Sequence, residues 1–247
     1  MSLYLYAFCR PFEPPHLRGV DKAPIRVIGD GSLAAVASRF TQPKVRPRRR
    51  HLLAHDQTVR ALADSQDILP VSFGTLASSK DEILLLLDQN RDEIVENLDR
   101  LAGRVEIAVK AEVAGSKPFE RYVRRYDELR RARDRMIAEG QERNRHRMME
   151  IGKLFEQLRE RERDQTSGSF LASLGDVFDG SKAQELKRDE QIFDLSFLVK
   201  KEEAAEFEAA FDRAAAALED DLALHYQGPL PPYSFSTLRL GLAPAVS

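Results

Sequence analysis

The chain has 247 residues, enough for one large domain or two small ones, and its 43% hydrophobic content is ample for a packed core. Charged residues make up 32% of it, yet the formal net charge is −2, so no global field draws in nucleic acid or an anionic membrane. A single cysteine, Cys9, excludes an internal disulfide, and the longest apolar run, Ile83 to Leu87, falls far short of the roughly 20 residues a membrane span needs.

The N-terminal "SLYLYAF" lacks the length and basic flank of a signal segment, so a cytoplasmic location is expected. Leu3 to Cys9 is apolar throughout and reads as a strand buried on both faces, ended by the proline-rich "RPFEPPH". After a loop to about Pro24, "IRVI", "GDGS" and "LAAVASRF" read as a hairpin whose glycines supply positive φ. In "HLLAHDQTVRALAD", Leu52, His55, Val59 and Leu62 recur at helical spacing, and "ILPVSFGTL" gives a short buried strand. Ser79 and Glu82 form a capping box before one helix with the stripe Ile83, Leu87, Ile94, Leu98 and Leu101, closed by Gly103.

"RVEIAVKAEV" alternates, with Val105, Ile107, Val109, Ala111 and Val113 on one face and Glu106, Lys110 and Glu112 on the other. Residues 119–164 are dense in Arg and Glu around Tyr122, Tyr126 and Leu129, then Met148, Ile151, Phe155 and Leu158. This spacing predicts two helices, or one bent helix, breaking near "AEGQERNRHR". "TSGSFLASLGDVFDGS" reads as a loop with one helical turn. "EQIFDLSFLV" is a strand with Phe193, Leu195, Phe197 and Val199 on one face; a helix from about Glu202 carries Phe207, Phe211, Ala214 and Leu218, and "LALHY" is a last strand. The order implies an α+β protein of two domains, a ferredoxin-like layer over 1–116 and a mixed α/β domain with a long charged helical segment over 117–247.

No set of residues in the sequence makes a convincing catalytic, cofactor or metal site. The adjacent His55 and Asp56 suit a metal-dependent phosphohydrolase, but His55 lies in an apolar stripe and reads as a packed histidine with one side-chain hydrogen bond. Cys9 sits in a buried strand and reads as an inert small hydrophobe. The basic run Lys44 to Arg50 can grip phosphates, and a nucleotide- or nucleic-acid-binding regulator is the alternative function it suggests. It lacks interleaved aromatics to stack on bases, which favours a solvated loop. The segment "GPLPPYSF", Gly228 to Phe235, satisfies a PxxP pattern, which makes Pro231, Pro232, Tyr233 and Phe235 candidate partner contacts. Its position directly after a strand favours an ordered turn in which Tyr233 and Phe235 pack back onto a domain.

The blocks "LYLYAF", "HDQTVRAL", "ILPVSFGT", "VEIAVKAEV", "FDLSFLVKKEEAAEFEAAF" and "GPLPPYSF" together resemble the GvpL/GvpF family of gas-vesicle proteins. Leu230 stands where members often carry Trp, and the loops 11–24 and 160–189 carry no motif of the family. The resemblance implies a non-enzymatic accessory protein without cofactors, needed to form gas-filled buoyancy compartments. Its implied partners are the hydrophobic shell protein and other gas-vesicle accessory proteins, with neither nucleic acid nor membrane among them. The implied action is to cover apolar surface on unassembled shell subunits and assist nucleation or growth of the shell.

Overall fold

The first strand, β1 (Ser2–Cys9), is almost wholly buried, as its unbroken apolar sequence requires. A computed structural model of the chain describes residues 2–14, 16–42, 44–115, 117–138, 144–218 and 220–238. In it β1 pairs antiparallel with β3 (Ala34–Phe40), β4 (Ile68–Pro70) and β5 (Leu76–Ala77), and β2 (Ile25–Gly29) pairs with β3. The sheet order is β2-β3-β1-β4, with β5 on β1. A register shift between Leu5 and Ala7 marks a bulge. It puts Tyr4, Tyr6 and Ala7 in the core shared with Val59 and Leu62 of α1 (Arg49–Ser65). Leu5 and Phe8 join the opposite core, with Ile83 and Leu87 of α2 (Lys80–Gln89) and Ile94, Leu98 and Leu101 of α3 (Arg91–Leu101).

The β2–β3 hairpin closes on Gly31, at φ 98°, where a side chain would be strained. Asp30 Oδ1 accepts the amides of Ser32 (2.9 Å) and Leu33 (3.0 Å), and Arg91 binds its other oxygen. These donors hold the Asp30 carboxyl well below the usual carboxylate range.

The chain divides into two compact units, Met1–Ile107 with Leu198–Lys201 and Gly228–Ser247, and Ala108–Phe197 with Glu202–Gln227. The segment "GPLPPYSF", placed by the sequence within 117–247, thus groups with the first unit. A second sheet, β7 (Gly180–Ala183), β8 (Gln191–Lys200), β6 (Arg104–Val113) and β9 (Leu222–Leu230), runs in that order. Both sheets are antiparallel, and the described residues form seven α-helices in a mixed α/β fold.

In the second unit, α4 (Pro118–Arg125), α5 (Asp127–Ala138) and α6 (Asn144–Leu174) bury Tyr122, Leu129, Ile151 and Leu158 together. Phe170 of α6 lies 4.9 Å from the Phe193 ring and 6.2 Å from Phe211 of α7 (Ala204–Ala216). Arg121 and Glu162, both nearly inaccessible, pair at 2.8 Å, and Arg121 also reaches Asp221 at 2.5 Å. The pairing binds α4, α6 and the segment before β9.

Several expectations are corrected. The single helix of 79–103 is broken at Asn90, which ends α2 and begins α3; its amide (3.1 Å) and side-chain nitrogen (2.8 Å) both donate to Leu86 O. The stripe stays in phase across the break because Leu87 and Ile94 are seven residues apart. Ser79 Oγ accepts from the Glu82 amide as expected, but the Glu82 carboxylate returns to the amide and hydroxyl of Ser78. Helix α6 absorbs "TSGSFLASL" through Leu174, because Phe170 and Leu174 bury one turn apart and outweigh the poor helix propensity of Ser and Gly. Strand β8 is buried on both faces, with Asp194 paired to Lys110 at 2.9 Å. The break expected at 138–147 lies in part outside the described residues.

Candidate functional site

The segment "GPLPPYSF" enters on an edge strand, where proline costs no ladder bond: Gly228 to Leu230 are the last residues of β9, longer than the expected "LALHY". Pro231, Pro232 and Phe235 are buried, and Tyr233 is half-buried. Phe235 completes the core on the α2 and α3 side of the first sheet, and Tyr233 packs against the core on the α1 side. Ser236 Oγ reaches Pro70 O of edge strand β4 at 3.5 Å. The segment therefore wraps the β4 edge and sends one aromatic to each face.

Polar groups fix it there. Ser234 donates its amide (2.7 Å) and hydroxyl (2.6 Å) to the two oxygens of Glu106. Arg100 donates to Phe235 O at 2.6 Å, and Thr237 Oγ1 donates to Asn97 Oδ1 at 2.9 Å. The sequence placed Glu106 on the polar face of its strand; it is buried because the hydroxyl and amide of Ser234 satisfy it. Asn97 and Arg100 carried no signal, since each is unremarkable on an amphipathic helix.

His55 is the centre of the polar chain behind Tyr233. Its Nδ1 lies 3.0 Å from Tyr4 Oη and its Nε2 lies 2.9 Å from Tyr233 Oη. Tyr4 Oη accepts the Gly74 amide at 3.0 Å and is fully buried, so its proton must go to Nδ1. Nε2–H then donates to Tyr233. Burial pushes His55 down to about 4, against the opposing pull of the Asp56 carboxylate and the Val71 carbonyl. The neutral ring stacks on Tyr6 at 5.7 Å and meets the Phe73 ring edge-on at 5.7 Å. His55 is thus a packed histidine, with two side-chain hydrogen bonds rather than one, and Asp56 turns away to Arg60 at 2.8 Å. No group of three or more His, Cys, Asp or Glu among the described residues is arranged to hold a metal ion. Cys9 is buried and its thiol is pushed up to about 11, so it stays protonated.

The first turn of α1 begins in the basic run: Arg49 and Arg50 are helical, and Val45 is buried. Leu52, assigned to the buried stripe, is instead 44% exposed, and His51 takes an inward position with Asp21 at 3.0 Å. The largest exposed apolar side chains of the second unit flank the α5–α6 connection: Ile137 at 67%, Met148 at 62% and Met149 at 58%. Met148 was expected in the stripe with Ile151, but only Ile151 and Leu158 of that set are fully buried. No helix of the described residues is long and apolar enough to cross a membrane.

These features define a mixed α/β protein whose buried polar groups lock chain segments together and whose helical arm presents apolar side chains. The family model described as gas vesicle synthesis protein GvpL/GvpF matches residues 2–237, and the chain belongs to that family. It is 29% identical over 243 residues to gas vesicle protein F of Streptomyces sp. (strain CB03234), covering 95% of this chain and 99% of that one. It is 24% identical to gas vesicle protein F of Dolichospermum flosaquae, covering 96% and 98%. The crystal structure of GvpF from Microcystis aeruginosa has the same fold, with a TM-score of 0.81 at 21% identity over 96% of this chain and 99% of that one. GvpF from Anabaena sp. PCC7120 gives 0.79 at 20% identity, covering 97% of each. Membership supports a gas-vesicle-related role, and the regulator reading of residues 44–50 finds no support in these matches.

Proposed function

We propose that this protein is a non-enzymatic, cytoplasmic assembly factor of gas vesicles that holds unassembled shell protein through the α5–α6 end of its helical arm. The carrying observation is the trio Ile137, Met148 and Met149, left exposed on helices otherwise covered in Arg and Glu. Exposed apolar side chains on a polar arm mark an interaction surface, and methionine adapts its shape to a partner's. A subunit destined for a water-excluding wall carries an apolar face that aggregates unless covered, and such an arm can cover it until the subunit adds to the shell. Other accessory proteins of the vesicle are the further partners in this reading.

The first unit is read as a variant of the split β-α-β layer. β1 lies between β3 and β4, and a 3-10 turn at Val20–Lys22 stands where a crossover helix would run. The buried positions of Pro231, Pro232 and Phe235 favour a structural role for the C-terminal segment over direct partner contact.

Coexpression with the shell protein followed by affinity capture tests the proposal. The wild-type chain should retain the shell protein, and the triple variant Ile137→Glu, Met148→Glu, Met149→Glu should lose it at unchanged melting temperature. Equal capture by both, or by neither, would refute it.

A further inference from the structure

One edge of the first sheet is closed and, among the described residues, the other is open beyond its start. The C-terminal segment covers β4, whereas β2 is the terminal strand on the opposite side. The ladder register shows which groups β2 leaves free. Asp30 N donates to Leu33 O at 3.1 Å, which makes the pairs Ile28↔Ala35 and Arg26↔Ala37 the hydrogen-bonded ones. Ile25 agrees, since its amide turns away from β3 to Leu17 O at 3.2 Å. Val27 and Gly29 therefore direct their N–H and C=O groups outward, beyond the bridge of Arg18 to Pro24 that occupies the strand's start. Both residues line a cleft of about 520 Å³ together with Leu3, Arg26, Arg39 and Lys80.

The three cations of this cleft have no hydrogen-bond or ion-pair partner among the described residues. Two neighbouring acids are already engaged, Asp30 with Arg91 and the turn amides and Glu82 with Ser78. Arg26 and Arg39 lie on the same face of the sheet, since their partners Ala37 and Leu3 both pack with the α2 and α3 core. A strand laid against β2 would meet outward backbone groups at Val27 and Gly29 and positive charge on that face. We infer that the β2 edge is a binding site for an extended acidic peptide of a partner protein, which adds as a further strand and sets its carboxylates against Arg26, Arg39 and Lys80. This site shares no residue with the helical arm and does not depend on the shell-protein reading.

Fluorescence anisotropy with a labelled peptide alternating valine and glutamate tests it on the full chain. The peptide should bind, bind more weakly as salt rises, and lose at least tenfold in affinity in Arg26→Glu and in Arg39→Glu. Val27→Pro removes one outward N–H without touching the β3 ladder and should also weaken binding, and a peptide with lysine for glutamate should not bind. Circular dichroism matching wild type secures each variant's fold, and Arg39→Glu, on an inner strand, serves if the edge variants fail it. The inference falls if the glutamate peptide does not bind, or if inorganic phosphate displaces it at equal concentration. It also falls if a peptide with proline at alternate positions binds as well, or if sedimentation shows the edge consumed by a second copy of the chain.

Discussion

Acidification should loosen the first unit through one residue. His55 titrates near 6.5 in an unfolded chain and at about 4 in the folded one, because the proton would charge a ring enclosed by Tyr4, Tyr6, Phe73 and Tyr233. The unfolded state is thus the better proton acceptor. The stability that depends on neutral His55 is complete above pH 6.5 and drains as pH falls toward 4, by about 3 kcal/mol in all. Between those limits the slope approaches about 1.4 kcal/mol per pH unit. Urea unfolding followed by tyrosine near-UV circular dichroism at pH 6.5, 5.5 and 4.5 reads it, and His55→Gln provides the reference. The variant starts less stable but lacks this proton, and every other ionisable group is common to both proteins. The difference between wild type and variant should shrink by about 2 kcal/mol between pH 6.5 and 4.5. Parallel pH profiles would refute the neutral, desolvated histidine.

Tyr233→Ala should cost about 2–3 kcal/mol, from lost packing and an unpartnered His55 Nε2, whereas Tyr233→Phe should cost only about 1 kcal/mol; chemical denaturation distinguishes them. Arg121→Ala leaves Glu162 buried with only Arg125, at 3.8 Å, as a counter-charge and should cost about 3 kcal/mol, seen as an early loss of α4–α6 protection in hydrogen exchange. Ser79→Ala removes the α2 cap and should cost about 1 kcal/mol, measurable as a fall in the urea midpoint at constant slope.

The sequence was most informative where one residue's environment followed from its neighbours in the chain. β1, the β2–β3 hairpin, the stripe of α2 and α3 and the alternation of β6 all lie where their patterns predicted. It was least informative where a distant residue supplied the deciding contact. Nothing near Glu106 announces Ser234, 128 residues on, so a carboxylate in an alternating strand reads as solvent-facing. Ser167 and Gly168 read as loop because the partners of Phe170, Phe193 and Phe211, come later in the chain. The two-residue β5 and the polar β7 offer too little pattern to be found at all. "GPLPPYSF" stood out by composition, yet composition does not show that the ring of Tyr233 meets a histidine 178 residues earlier.

That long return has a consequence for how the protein is made. The first unit draws on residues up to Ile107, again on Leu198–Lys201, and finally on the segment from Gly228. A ribosome delivers these parts in order, so His55, Asn97, Arg100 and Glu106 wait through most of synthesis for the partners that satisfy them. Until Tyr233, Ser234 and Phe235 emerge, the β4 edge stays bare and both cores lack a side chain. A chain released before Gly228 would carry that defect, which makes the arrival of this segment a built-in check that synthesis has passed through the second unit.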